Sequence, residues 1–351
     1  MKEYIALDAH KRYSLAERDP VSGGAARQQR VEHRRGAIRE YLADVEVGTP
    51  VALEATIGWY WIADEIEAAG CVPALVHPYK SKVMLGCINK TDKLDVHGLN
   101  RLQRTGTLPT VWIPPAGLRD QRELPRVRMF LVRHRSRLKN RIQAELTKYG
   151  VPVLGVSDPF GRKGQALLRA NLEELPPVTR QMTEALLDQY AFVDQQVRQT
   201  ESQIERLLAE TPAMRLLMTM PGVGRILATV IALEVGDVRR FASAQHLASY
   251  AGTTPRVHAS GGKVRYGRLR QDVNRHLKWA LIEAANGVCM NRRRQAHRHV
   301  SRLYERVAWR RGHAKAIGAV ARHLAEASFY VLSKQEAYCD PTLRREDPKG
   351  A

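Results

Sequence analysis

Glu3-Tyr4-Ile5-Ala6-Leu7-Asp8 is a short apolar run that closes on an acid and is followed by polar His10, Lys11 and Arg12. That pattern predicts a buried strand whose last residue reaches the edge of a site. Pro50-Val51-Ala52-Leu53-Glu54 repeats it, and Gly58 then opens an apolar-periodic helix through Trp61, Ile62, Ile66 and Ala69 to Gly70. Asp8 and Glu54 are thus both expected at strand ends. In Asn89-Lys90-Thr91-Asp92-Lys93-Leu94-Asp95 the two aspartates are three residues apart, which places them on one face of a helix's first turns. Their mutual repulsion is offset only in part by the helix N-terminus.

Taken singly, each of these acids is more often a turn or cap residue than a ligand. Their combination carries more. Working outward, the pattern predicts strands at about 3–9, 12–18 and 25–32, a helix at about 35–46, a strand at 50–54, a helix at 58–69, a strand at 72–77, and further helices. This order matches the RNase H-like (RuvC-like) topology, which would gather Asp8, Glu54, Asp92 and Asp95 at one end of the sheet. Magnesium, with its preference for oxygen ligands, is the natural occupant of such a cluster.

The chain of 351 residues is long enough for two or three domains, and its 44% hydrophobic content suffices for real cores. No apolar run reaches membrane-spanning length; the best, Ile226 to Leu233, lies between Arg225 and Glu234. The start of the sequence has no signal-peptide apolar core, so export is not expected. Cys71, Cys87, Cys289 and Cys339 form no C-x-x-C pair, which argues against a zinc site or a disulfide framework and for a reducing cytoplasm.

Fifty-six Lys and Arg against 36 Asp and Glu give a net charge of +20. A polyanion partner follows, bound with strong salt dependence, and membrane surface is the lesser option. One cluster spans 119–148, where Arg126, Arg128, Arg133, Arg135, Arg137, Lys139 and Arg141 interleave with Leu124, Val127, Phe130, Leu131, Leu138, Ile142 and Leu146. It reads as a long helix with one apolar stripe and a wide basic surface. A second cluster runs from Arg292 through Arg294, His297, Arg298 and His299 to Arg302, Arg306, Arg310 and Arg311.

Residues 150–164 and Pro176-Pro177 mark connections. Beyond them Leu186, Tyr190, Val193, Val197, Thr200, Ile204 and Leu207 alternate steps of four and three. This is a coiled-coil seam, either between subunits or within a helical hairpin of one subunit. From Met214, an apolar helix enters Pro221-Gly222-Val223-Gly224 and a second leaves it, a helix-hairpin-helix pattern whose Gly222 and Gly224 would let backbone N–H groups approach a phosphate. Ser260 precedes Gly261-Gly262 and is surrounded by Arg256, Lys263, Arg265 and Arg268. By composition alone it is a loop serine in a basic setting.

Several of these motifs together resemble one family. They are Leu7-Asp8, Glu54-Ala55-Thr56 followed by Trp59-Tyr60-Trp61, Asn89-Lys90-Thr91-Asp92 with Asp95, Pro221-Gly222-Val223-Gly224, Tyr250-Ala251-Gly252 to Pro255, and Ser260-Gly261-Gly262. The chain looks like the insertion-sequence transposases that join an N-terminal RuvC-type DEDD domain to a C-terminal transposase domain with a catalytic serine, the bridge-RNA-guided recombinases. The resemblance implies an α/β domain followed by α structure: a RuvC-like DEDD domain at 1–112, a basic helix and coiled-coil region at 113–210, a mainly helical transposase domain at 211–335 and a tail at 336–351. Two departures from the family pattern stand out, Asp95-Val96-His97 where Asp-Ala-Arg is usual and Val273-Asn274 where Gly-Asn is usual.

By that resemblance Asp8, Glu54, Asp92 and Asp95 hold Mg²⁺, two ions, and Ser260 is the nucleophile that forms a phosphoserine link to DNA. The implied partners are double-stranded donor and target DNA, a structured noncoding bridge RNA and further copies of the chain, as a dimer and, when assembled, a tetramer. A bacterial cytoplasmic, nucleoid-associated location goes with them. Arg126, Arg133, Arg137, Arg141, Gly222, Gly224, Arg256, Lys263 and Arg265 are the expected nucleic-acid contacts. Two other classes use parts of the same set: a Holliday-junction-type nuclease would keep the carboxylates and use water, and a noncatalytic nucleic-acid-binding protein would need neither acid nor serine.

Overall fold

The computed structural model describes residues 2–86, 91–152, 155–269 and 272–341. Asn89 and Lys90 of the third acidic motif, Cys87 and most of the 336–351 tail lie outside them. The chain divides into two compact units, Met1–Ala116 and Gly117–Ala351.

In the first unit β1 (Glu3–Ala9), β2 (Tyr13–Pro20) and β3 (Arg27–Glu32) form an antiparallel meander, followed by α1 (Ala37–Tyr41), β4 (Pro50–Glu54), α2 (Trp59–Ala68), β5 (Val72–Val76), α3 (Pro78–Leu85) and α4 (Asp92–Arg104). The sheet order is β3-β2-β1-β4-β5, with β1, β4 and β5 parallel. Alternation along β1 and β4 sends Ile5, Leu7, Val51 and Leu53 to one face, where they bury against Ile38, Leu42, Ile62 and Ile66 of α1, its C-cap and α2. Ala6, Ala52 and Val76 face the other way and meet Val96 and Leu99 of α4. Both faces are covered, so the strands read as continuous apolar runs rather than as alternating ones.

The direction of α4 is fixed at its far end. Arg104 donates to Asp19 (2.7 Å) and to the Pro20 carbonyl (2.9 Å) at the end of β2, and β2 pairs Asp19 with Tyr4 near the start of β1. The helix therefore runs antiparallel to β1. Its N-terminus lies over the strand's C-terminal end.

The second unit is mainly helical. It contains α5 (Ala116–Lys148, beginning at the boundary residue), α6 (Arg162–Asn171), α7 (Pro177–Leu207), α8 (Pro212–Leu217), α9 (Arg225–Val235), α10 (Ala244–Tyr250), a ribbon of β6 (Pro255–Ser260) and β7 (Lys263–Leu269), then α11 (Arg275–Asn291), α12 (His299–Arg311) and α13 (His313–Lys334). Its largest core joins α8 through α13. The α8–α9 pair stands where the helix-hairpin-helix pattern was read.

Two sequence expectations change here. Of the two alternatives for the α7 seam, packing within the chain is the one seen, Leu187, Tyr190 and Val193 sharing a core with Leu138, Ile142 and Leu146 of α5, but its end positions differ. At its two ends the buried residues are Leu187 and Leu208, whereas Leu186 is only partly covered and Leu207 is 62% exposed. A straight helix of 3.6 residues per turn drifts away from a strict 3.5-residue repeat, which accounts for the shift from Leu207 to Leu208 at the C-terminal end. On α5, Val127 and Phe130 are exposed, and Arg119 and Arg122 are buried instead.

Candidate functional site

Asp8 sits near the end of β1 on the face that α4 covers, and it is 6% exposed. Glu54 ends β4. The β1–β4 register pairs Leu7 with Leu53, so the next residues, Asp8 and Glu54, are neighbours on adjacent parallel strands and share a face by alternation. Above them α4 is capped by Thr91, whose Oγ1 accepts the Leu94 N–H (3.3 Å). Because Thr91 takes the capping role, the carboxylate of Asp92 is directed elsewhere. Asp92, Asp95, Val96 and Leu99 follow helical spacing, and the last two are anchored on the sheet, so the aspartates lie toward the same strand ends.

Asp8 and Asp92 converge on a residue between them. His10 Nε2 stands 3.3 Å from Asp8 Oδ2 and 3.2 Å from Asp92 Oδ2. One ligand atom from each of the three lies within 4.8 Å of the others. His10 is held by the turn that closes β1 onto β2, its backbone N–H donating to the Tyr13 carbonyl (2.9 Å), and its ring lies 4.7 Å from the Tyr13 ring. Tyr13 in turn donates its hydroxyl to Asp92 Oδ2 (3.2 Å). Desolvation and that hydrogen bond raise the Tyr13 phenol above its ordinary value, so it remains a donor at neutral pH.

This set fits a divalent cation. Two carboxylate oxygens and an imidazole nitrogen are hard-to-borderline donors. The Nε2 atom is enclosed and lies within reach of both carboxylates, yet its geometry toward neither is that of a hydrogen bond. The short distances and the missing hydrogen bond point different ways; the angle decides against a simple N–H···O⁻ pair, because such bonds weaken steeply off the N–H axis. Among the described residues the group whose ligand atoms all lie within 4.8 Å of one another comprises Asp8, His10 and Asp92; Glu54 and Asp95 are not part of it.

His10 was read from sequence only as a polar residue after a strand. Glu17 was missed altogether. It lies on β2 opposite Ala6, 1% exposed, and its carboxylate accepts from Gln28 (2.7 Å) and Asn100 (3.1 Å) and lies 3.1 Å from His97 Nδ1. It ties the middle of α4 to the sheet. His97, where the family pattern has arginine, is one of its partners.

In the second unit Ser260 ends β6, at the tip of an exposed ribbon. Gly261 (φ +56°) and Gly262 (φ +74°) form the two-residue turn, and two successive positive φ values are what the favoured hairpin turn requires. The register pairs Ser260 with Lys263 and His258 with Arg265, so these four share one face. The opposite face carries Val257, Ala259, Val264 and Tyr266. Thus Ser260 lies on a strand with a basic face rather than in a loop, and Arg256 and Arg268 are likewise exposed.

The expected nucleic-acid contacts divide by surroundings. Arg133 and Arg137 are exposed on α5, and Arg141 is 67% exposed beside Glu145 (2.7 Å). Arg126 is engaged inside the chain, donating to both oxygens of Glu234 (2.8 and 3.1 Å), a residue 1% exposed. Arg122 joins it through the Leu233 and Glu234 carbonyls (2.8 and 3.1 Å), and Asn274 donates to Glu234 (2.8 Å) and to the Tyr250 hydroxyl (3.0 Å). Desolvation alone would raise the Glu234 carboxyl, but Arg126, Asn274 and Arg122 outweigh it and hold it below its ordinary range. Gly222 has φ +76° and rests against α11, where an added Cβ would lie 2.2 Å from the Ala284 carbonyl oxygen. Gly224, the α9 N-cap, faces open space. On α12, Trp309 is 86% exposed among Arg302, Arg306 and Arg310, an aromatic that sequence reading passed over.

Comparison with known proteins adds a family relation. Residues 214–301 match the Transposase IS116/IS110/IS902 family. Over 332 residues the chain is 26% identical to a "Probable family 20 transposase" of Pseudomonas aeruginosa, covering 90% of this chain and 94% of that one. It is 24% identical over 302 residues to the "Transposase for insertion sequence element IS1111A" of Coxiella burnetii, 85% of this chain and 81% of that one. A "Pilin gene-inverting protein" of Moraxella bovis is 29% identical over 147 residues, 40% of this chain and 45% of that one. The chain is therefore related to insertion-sequence transposases, through most of its length to individual ones and through residues 214–301 to the IS116/IS110/IS902 family.

Proposed function

We propose that this chain is the transposase of an insertion sequence, cutting and rejoining donor and target DNA through a phosphoserine intermediate, with Asp8, Glu54, Asp92 and Asp95 holding Mg²⁺ and a noncoding RNA of the element choosing the sites. The observation that carries this reading is the convergence of Asp8 and Asp92, remote in sequence, at the C-terminal end of β1. The β3-β2-β1-β4-β5 order, three antiparallel strands continuing into parallel ones, supports an RNase H-like frame for them. When bound, a divalent cation supplies Lewis-acid stabilisation of charge on a phosphodiester.

The residues of the chain divide the remaining work. Asp8 and Asp92 supply the negative charge that keeps the cation in place, and Tyr13 fixes the Asp92 carboxylate. On the ribbon, Lys263 and Arg265 share the Ser260 face and would bind the phosphate that Ser260 attacks. The Ser260 Oγ–phosphorus bond forms as a phosphorus–sugar oxygen bond breaks, the serine proton leaving with the sugar hydroxyl. A hydroxyl of the new partner strand then displaces serine, so the number of phosphoester bonds is conserved and rejoining needs no outside energy. Inversion of a gene, the role in the Moraxella relative's name, is likewise an outcome of rejoining rather than of hydrolysis.

Guidance by RNA would assign sequence choice to base pairing and leave the protein to read backbone and shape. Exposed Arg133 and Arg137 on α5 and Arg302, Arg306 and Arg310 on α12 are its surfaces, and Trp309 is suited to stack an unpaired base. The deciding experiment incubates the purified chain, with the RNA transcribed beside its gene, on labelled donor and target DNA. Wild type leaves a DNA strand covalently attached to the protein; Ser260→Ala abolishes both cut and adduct while RNA binding persists. Cutting by Ser260→Ala at the same position would make water the nucleophile and the protein a nuclease.

A further inference from the structure

We propose that His10 is itself a ligand of the cation, through Nε2, and that this nitrogen makes the centre select Mn²⁺ over Mg²⁺. The inference rests on the carboxylate reading above and deepens it. Nothing in the four-carboxylate pattern calls for an imidazole. The geometry does: Nε2 is enclosed, stands 3.3 and 3.2 Å from one oxygen each of Asp8 and Asp92, and makes a hydrogen bond to neither. Ligands around one small cation at ~2.1 Å are themselves roughly 3 to 4 Å apart, so the three atoms are spaced as a shared cation would space them.

The imidazole is also positioned rather than free to swing. The β1–β2 turn fixes its backbone, the Tyr13 ring packs beside it, and the same Tyr13 hydroxyl orients the Asp92 carboxylate. One tyrosine thus braces two ligands. Second contacts of this kind are what hold a metal ligand in its working orientation.

Selectivity follows from the donor set. Mg²⁺ binds oxygen and parts with water reluctantly, whereas later divalent ions accept imidazole readily. A centre of carboxylates alone gives no reason to prefer Mn²⁺ strongly. Replacing one oxygen or water position with nitrogen does.

The test uses the untagged full-length chain and Mn²⁺ alone, titrated by electron paramagnetic resonance of the free ion, with pulsed measurements on the bound ion. Bound Mn²⁺ should show histidine nitrogen hyperfine coupling and be displaced only by a large excess of Mg²⁺. His10→Ala and His10→Gln should lose the coupling and bind Mn²⁺ about ten- to a hundredfold more weakly, while Mg²⁺ affinity changes by about threefold or less. Bound Mn²⁺ without nitrogen coupling in the wild type overturns the proposal, and does so even if the variants fold poorly. Asp8→Asn separates the two layers: if it abolishes Mn²⁺ binding while His10→Gln changes nothing, only the His10 ligand falls; if it leaves binding intact, the carboxylate centre falls with it.

Discussion

Gly222→Ala distinguishes a glycine that serves packing from one that serves a phosphate. Gly222 has φ +76°, a region that costs an L-residue about 1 kcal/mol. Its missing Cβ would lie 2.2 Å from the Ala284 carbonyl oxygen and 3.0 Å from the carbonyl carbon, both backbone atoms of α11. No side chain can swing aside, so the α8–α9 turn must lift off α11, an overpacking cost of about 1–3 kcal/mol. The stiffer unfolded chain returns about 0.4–1 kcal/mol. The net expectation is a loss of about 1–3.5 kcal/mol.

Because the chain has two units, a single global melting point would mix them. Amide hydrogen exchange resolved by peptide measures the second unit directly. Protection in α9 and α11 should fall roughly 5- to 300-fold, the equivalent of that free energy. Gly224→Ala is the control: its φ is −93°, its surroundings are open, and alanine for glycine at an N-cap costs less than about 1 kcal/mol. Equal protection in the two variants would refute the packing argument. Normal protection in Gly222→Ala combined with lost DNA binding would return the glycine to the phosphate.

Other outcomes follow from the same structure. Glu234, held below its ordinary value in the fold, contributes stability that is present above its unfolded pKa and lost as pH falls through the folded one; Glu234→Gln should flatten the acid limb of a stability–pH curve while lowering stability at neutral pH. His276, lowered by burial, acts in the same direction from higher pH, since its protonation below about 6.5 favours the unfolded chain. Nucleic-acid affinity should fall steeply with salt, and Arg133→Ala with Arg137→Ala should reduce the logarithmic slope by about 2; an unchanged slope would remove α5 from the interface. Trp309→Ala should weaken binding of single-stranded RNA by about 1–3 kcal/mol without altering the melting curve, given its exposure; unchanged RNA affinity would refute stacking. A mixture of Ser260→Ala and Asp8→Asn subunits should recover some cleavage, and a mixture as inactive as its parents would refute sharing of active sites between subunits.

What could be read in advance depended on how far apart the deciding contacts lie in sequence. The positions of Asp8 and Glu54 at strand ends were legible because β1 and β4 are covered on both faces, so each appears as an apolar run with an acid at its end. Asp92 was legible by helical spacing, and its freedom from capping was settled next door by Thr91. His10 was not, since a histidine just past a strand looks like any surface residue. Its meaning comes from a turn that brings it under a helix some eighty residues later.

The ribbon shows a different limit. Gly261-Gly262 between Val257 and Tyr266 is a hairpin signal, but the dense arginine and lysine around it reads equally well as a solvated loop, and only pairing places Ser260 on a basic face. Charge was the least transparent feature of all. Arg126 and Arg133 occupy one helix and look alike in sequence, yet one is joined to a buried glutamate 108 residues away and the other is exposed. Of the arginines on α5, Arg122, Arg126, Arg128 and Arg135 all donate to groups in later helices of the unit, α7 or α9. The positive excess available to a polyanion on this helix is therefore smaller than its sequence suggests, and it is concentrated toward the exposed Arg133 and Arg137, Arg141 beyond them being paired with Glu145.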